Sequence, residues 1–114
     1  MTQTHDLKTH PEPFQSVIIK EKIFEYRWND RNFQVGDLLR LNEYDPVAIM
    51  YTGRVAIVKV LYILYGGKFG VPDEYCIMSI RHQWNSSLRY SSEYRTWRMQ
   101  EACKQLLQQA GMIS

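Results

Sequence analysis

Hydrophobic and polar positions fall in short blocks broken by Pro, Gly, Asn and Asp, the pattern of small strands joined by turns. His5 to Lys8 reads as a short extended segment. Pro11 and Pro13 then open a run from Phe14 to Lys20 with Phe14, Val17, Ile18 and Glu21 at helical spacing. Proline suits a first helical turn, whose amide hydrogens lack partners anyway. Ile23 to Trp28 carries the aromatic and β-branched residues of a strand. Asn29 to Asn32 and Val35-Gly36-Asp37 are turns, and Leu38 to Leu41 is the strand that the second one opens. Glu43 to Pro46 is a further turn. Val55 to Leu64 gives the longest strand pattern, alternating imperfectly, as a strand buried on most of both faces does. Gly66 to Asp73 forms a loop, and Tyr75 to Ile80 is the last strand. Five or six strands around one short helix predict a small mixed α+β barrel.

The pattern changes after Ile80. Arg81 to Ser92 is polar, and a helix is predicted over about 92–110, capped by Ser91 or Ser92 and stopped by Gly111. Glu93 suits the positive end of its dipole. Tyr94, Trp97, Cys103, Leu106, Leu107 and Ala110 read as an apolar face packed on the barrel or on a partner. The chain is thus divided into a barrel over 1–80 and a basic extension over 81–114.

At 114 residues, the chain holds one domain and one modest core. A hydrophobic share of 45% excludes a disordered acidic or Gln-rich chain. The net charge of +2 permits contact with nucleic acid without requiring it. The basic excess is local: residues 1–80 hold nine basic and ten acidic residues, residues 81–114 five and two.

Cys76 and Cys103 are far apart, as reduced thiols of a cytoplasmic protein would be, and His5, His10 and His82 lack paired ligand spacing. No metal and no cofactor is expected. The polar amino terminus and the absence of a long apolar run argue against a signal peptide and a membrane span. Gly66, Gly67 and Gly70 around Lys68 lack phosphate-loop spacing and read as a hairpin rim.

On a strand, Glu25 and Arg27 share one face while Phe24, Tyr26 and Trp28 share the other. Glu25 and Arg27 read either as an ion pair on a solvated face or as the polar floor of a cleft, with Glu25 accepting from an amine and Arg27 forking onto a phosphate or base edge. Lys22 has the opposite parity and joins them only if the chain bends or its side chain curls back. Arg31 reads as exposed and phosphate-seeking, Asp30 as a turn cap, and Gly36-Asp37 as structural. Trp28, Tyr44, Tyr51 and Tyr65 are candidates for stacking on bases. In the extension, Arg81, Arg89, Arg95 and Arg98 interleave with Trp84, Tyr90 and Trp97, either as a nucleic-acid surface or as a solvated helix face.

Several runs resemble the ASCH domain superfamily, whose members share a PUA-like β-barrel. They are His5 to Lys8, Lys22-x-x-Glu25-x-Arg27, Asn29-Asp-Arg-x-Phe-x-Val-Gly-Asp37, Glu43 to Pro46, Tyr51 to Arg54 and Tyr62 to Gly70. The resemblance covers residues 5 to 80 and is strongest to a bacterial and phage family of small proteins. It implies a PUA-like barrel and a role in binding RNA or a nucleotide. The superfamily also includes an acetylcytidine amidohydrolase, whose catalytic lysine aligns with Lys22. Its nucleophilic threonine aligns with Glu25, which is the wrong chemistry, and its catalytic glutamate has no counterpart here. Three readings follow. The first is a module holding RNA or a nucleotide near Lys22, Glu25, Arg27, Trp28 and Arg31. The second is a hydrolase of modified nucleosides or a ribonuclease using Lys22 and Glu25. The third is a phage or bacterial interaction protein gripping a protein partner with its C-terminal helix.

Overall fold

The computed structural model describes residues 2–86 and 88–112. Its elements are β1 (Thr4–Thr9), α1 (Pro11–Ile18), β2 (Phe24–Trp28), β3 (Leu38–Asp45), β4 (Met50–Tyr65), β5 (Tyr75–Asn85) and α2 (Ser92–Gln109). Five strands form one sheet in the order β1-β3-β4-β5-β2, curled into a half-barrel. Only β1 and β3 run parallel, and the other pairs are antiparallel. The small α+β barrel-like architecture read from the sequence is therefore present.

The 16-residue β4 is the spine, pairing with β3 on one side and β5 on the other. Inward positions of β1, β3, β4 and β5 supply Leu7, Leu39, Leu41, Val58, Val60, Cys76 and Met78 to a core closed by Phe14 and Val17 of α1. Phe33, from the loop after β2, completes it. β2 is the exception: it turns Glu25 and Arg27 inward. It is also an edge strand, so an unusual polar pair stands where the sheet ends.

The prolines sit where predicted, at the first turn of α1, and the helix stops at Ile18 before Lys20 takes a φ of +65°. The turn expected at Glu43 to Pro46 falls later. β3 runs on to Asp45, and the alternation of Leu39 and Leu41 continues into a buried Glu43. β5 likewise extends past Ile80 to Asn85, pairing Asn85 with Ala56. Arg81 and Trp84 are therefore strand residues.

Ser91 caps α2 as expected, its Oγ accepting from the Tyr94 amide at 3.2 Å. The predicted apolar face does not form. At about 100° per residue, Tyr94 and Trp97 lie on one side, while Cys103, Leu106, Leu107 and Ala110 lie opposite. Positions that continue the Tyr94 side are Glu101, Gln105 and Gln108. Only Tyr94 is buried, and the helix leaves the barrel after its first turns with Leu106 and Leu107 exposed.

Candidate functional site: a cationic cleft between the two sheet edges

The free edges of β1 and β2 face each other, and arginine side chains bridge them. Arg27 donates from Nη1 to the Lys8 carbonyl and from Nη2 to Thr9 Oγ1, both at 3.2 Å. Arg31 donates to the Asp6 carbonyl at 2.7 Å. Side chains thus tie together edges that backbone hydrogen bonds would join in a closed barrel, and clefts lie between them.

One cleft, of about 370 Å³, is lined by Lys8, Thr9, His10 and Pro13 on the β1–α1 side and by Lys22 and Phe24 to Arg27 on the β2 side. Glu25 is its anchor, only 3% exposed. Lys22 Nζ donates to Glu25 Oε1 at 2.7 Å, and Arg27 Nε donates to Oε2 at 2.9 Å. Lys22 overcomes its opposite parity by curling back along the strand, where Nζ also donates to the Phe24 carbonyl at 2.7 Å. The structure therefore gathers Lys22, Glu25 and Arg27 in one cleft.

Two cations against one carboxylate leave a local excess of positive charge. Arg27 has five N–H groups and engages three, and Lys22 engages two of its three. Both oxygens of Glu25 are held by cationic donors. The arrangement suits fixed binding of an anion better than proton abstraction by Glu25.

A hollow of about 250 Å³ on the other side of Arg27 is lined by Leu7, Lys8, Trp28, Asp30, Arg31 and Phe33. Trp28 and Arg31 thus belong to this second hollow, with Arg27 and Lys8 common to both. A third, of about 190 Å³, is lined mainly by Val17, Ile23, Val58 and Ile80, with Lys20, Lys22, Arg81 and His82 at its sides.

The other candidates are placed elsewhere. Tyr44 stacks edge-on with Tyr51 at 5.1 Å, and the Tyr65 hydroxyl donates to the Phe33 carbonyl. Trp84 is exposed on β5, and Arg95 is exposed on α2. Arg98 covers the Tyr90 ring at 4.8 Å, and Arg89 lies in the segment before α2. None of these lines the cleft. The turn cap is Asn29 and not Asp30: its Oδ1 accepts from the Phe33 amide at 3.0 Å. Asp37 is structural as read, accepting from the Gln3 and Gln34 amides and pairing with His5 Nε2 at 2.8 Å. Burial pushes its carboxyl upward, but the hydrogen bonds from His5, Gln34 and Gln3 outweigh this and hold it below the usual carboxylate range.

Sequence reasoning missed the β1–α1 wall of the cleft and a buried polar group at the far end of the barrel. There Glu43 accepts from Thr52 Oγ1 at 2.6 Å and from Arg54 at 2.8 and 2.9 Å. These bonds push the Arg54 guanidinium further up. Its plane lies over Phe14 and Tyr90, tying β3 and β4 to α1 and the tail. Extending the two-residue alternation through Glu43 would have found this carboxylate. Among the described residues, no His, Cys, Asp and Glu group could hold a metal ion, and no helix is long and apolar enough to cross a membrane.

A 54-residue stretch is 39% identical to a protein of Escherichia phage P2 described as an uncharacterized 12.9 kDa protein in the GpA 3′ region. That match covers 47% of this chain and 48% of the phage protein, so the chain spans about half the length of this relative. Residues 4–80 match the model of the domain of unknown function DUF3850, from β1 to the middle of β5. The chain belongs to the DUF3850 family.

Proposed function

We propose that the protein is a PUA-like (ASCH) module that binds RNA or a nucleotide, with a phosphate held in the cleft by Lys22 and Arg27. The observation carrying this reading is the excess cation charge around a buried Glu25, with N–H donors of both cations unengaged. Glu25 fixes the two cations before the ligand arrives, which lowers the ordering cost of binding. A volume of about 370 Å³ is of the size that takes a nucleotide-scale ligand. Arg31 and Trp28, beyond Arg27, offer the next phosphate contact and a stacking ring.

The test is fluorescence anisotropy of labelled single-stranded RNA, with a nucleoside monophosphate as competitor. Binding that weakens as salt rises, and that Lys22→Ala and Arg27→Ala each reduce, is the expected result. Absence of binding to RNA, DNA and nucleotides at low salt refutes it.

A second reading rests on α2. Its outward side carries Met99, Leu106 and Leu107, all exposed on a helix that projects from the barrel. This favours a protein partner for the helix. Removing residues 99–112 should leave the barrel folded while abolishing that association; unfolding on removal would make the helix a structural element instead.

A further inference from the structure

The outer face of the sheet has a composition unlike the cleft. Across β2, β5 and β4, the register places Phe24, Ser79 and Tyr62 in one row and Tyr26, Ile77 and Leu64 in the next, with Trp28 and Tyr75 at the end. These positions alternate with the buried Glu25, Cys76, Met78 and Ile63, so they face outward. Phe24, Tyr26, Trp28, Tyr62 and Tyr75 are 38% to 63% exposed. Tyr26 and Tyr75 already lie ring against ring, with centroids 5.3 Å apart. A contiguous exposed patch of this kind marks a contact surface.

Charge identifies the partner. Lys59 and Arg81 stand directly opposite each other on the same face, a pairing that repels unless an anion joins it. Neither makes an ion pair among the described residues. β4 and β5 contain no Asp or Glu, and the carboxylate of β2 is turned inward. Of the acids nearby, Asp37 is buried against His5, Asp6 pairs with Arg40 and Glu21 lies in the loop before β2, while Asp73 and Glu74 lie beyond the strand end at Tyr75. Rings without carboxylates, beside uncompensated cations, match a polymer of planar bases on a phosphate chain. Successive rows lie about 7 Å apart along the strands, so successive unstacked bases reach successive rings.

We propose that the outer face of β2, β4 and β5 binds single-stranded nucleic acid, with bases stacked on Phe24, Tyr26 and Tyr62 and phosphates passing Lys59 and Arg81. The ligand class rests on the reading of the cleft, but the surface uses none of its anchoring side chains.

The experiment uses the full chain with a labelled oligonucleotide of about 12 bases, and separately adenosine monophosphate. Tyr62→Ala and Tyr26→Ala remove exposed rings, and circular dichroism checks that the fold is kept. Each should weaken oligonucleotide binding about tenfold. Lys59→Gln should flatten the log–log salt slope by about 0.7, the loss of one phosphate contact. Mononucleotide binding should be unchanged in Tyr62→Ala and Lys59→Gln, whose side chains lie outside the cleft. Oligonucleotide affinity indifferent to these substitutions, with mononucleotide binding still lost in Lys22→Ala, overturns this proposal and leaves the cleft standing. Ring-sensitive oligonucleotide binding with no mononucleotide binding supports this face and overturns the cleft. A dimer that Tyr62→Ala dissociates, without oligonucleotide binding, assigns the face to a second copy and overturns the proposal, as does exclusive binding of an acidic peptide.

Discussion

Glu25→Gln separates an anchoring role from a catalytic one. The amide keeps the shape of the carboxylate and removes its charge. In the native site, two cationic donors at 2.7 and 2.9 Å end on a carboxylate that is 3% exposed. Hydrogen bonds involving charged groups are worth about 1.5–3 kcal/mol each, roughly twice a neutral one. The amide keeps one acceptor, so one bond falls to neutral strength and the other is lost to an NH2 group facing a cationic donor, for a loss of about 3 kcal/mol. In a domain of this size, that lowers the melting temperature by about 12 °C. Binding should move the other way. Without the carboxylate, Lys22 and Arg27 face a phosphate with one more unit of net positive charge, worth about 1 kcal/mol after screening, of which the weaker anchoring takes back part as ordering cost, leaving binding about twofold tighter. Calorimetry and nucleotide titration on the same sample read both effects. A carboxylate serving as a general base would instead lose turnover with unchanged ligand affinity. An unaltered melting temperature together with unaltered affinity would show that Glu25 does not anchor the two cations.

Other consequences follow from the same geometry. Glu43→Ala leaves Arg54 without its buried partner and should cost about 3–5 kcal/mol in chemical denaturation, with loosening of the tail seen as faster amide exchange at Ser91 and Tyr94. Asp37 has a depressed carboxyl, so its contribution is complete above the unfolded value of about 3.9 and is lost as pH falls through the lower folded value. Asp37→Asn should therefore reduce stability at neutral pH and flatten its acid dependence below about pH 4; an unchanged acid limb would show that the pair with His5 contributes nothing. Gly66→Ala should disrupt the β4–β5 hairpin, because a Cβ there would stand 1.9 Å from the Pro72 carbonyl oxygen. Lost oligonucleotide binding is not expected from this variant if its sheet persists, and a fully stable Gly66→Ala protein would contradict the packing described.

The fold was legible where period and punctuation agree. Pro11 and Pro13 marked the start of α1, the aromatic run marked β2, and Ser91 and Gly111 bracketed α2. Strand ends were less legible, because Glu43 and Arg81 look like turn or tail residues in isolation. Glu43 is instead stabilised inside by Arg54 and Thr52, contacts 9 to 11 residues away that local pattern does not reveal. The face of α2 failed for a different reason: apolar residues were counted along the helix without following the angle between them. For the site, parity placed Glu25 and Arg27 together, and the curled path of Lys22 depends on a side-chain rotation that sequence does not specify. Lys8, Thr9 and His10 were missed because they reach the cleft only through the parallel pairing of β1 with β3, which brings the β1 edge against β2.

The most direct measurement of the central claim is amide shift mapping of the full chain during titration with a nucleoside monophosphate. Saturable shifts concentrated at Lys8 to His10 and Lys22 to Arg27, vanishing in Arg27→Ala, are the expected result. Saturable shifts elsewhere, or none at low salt, would contradict that claim.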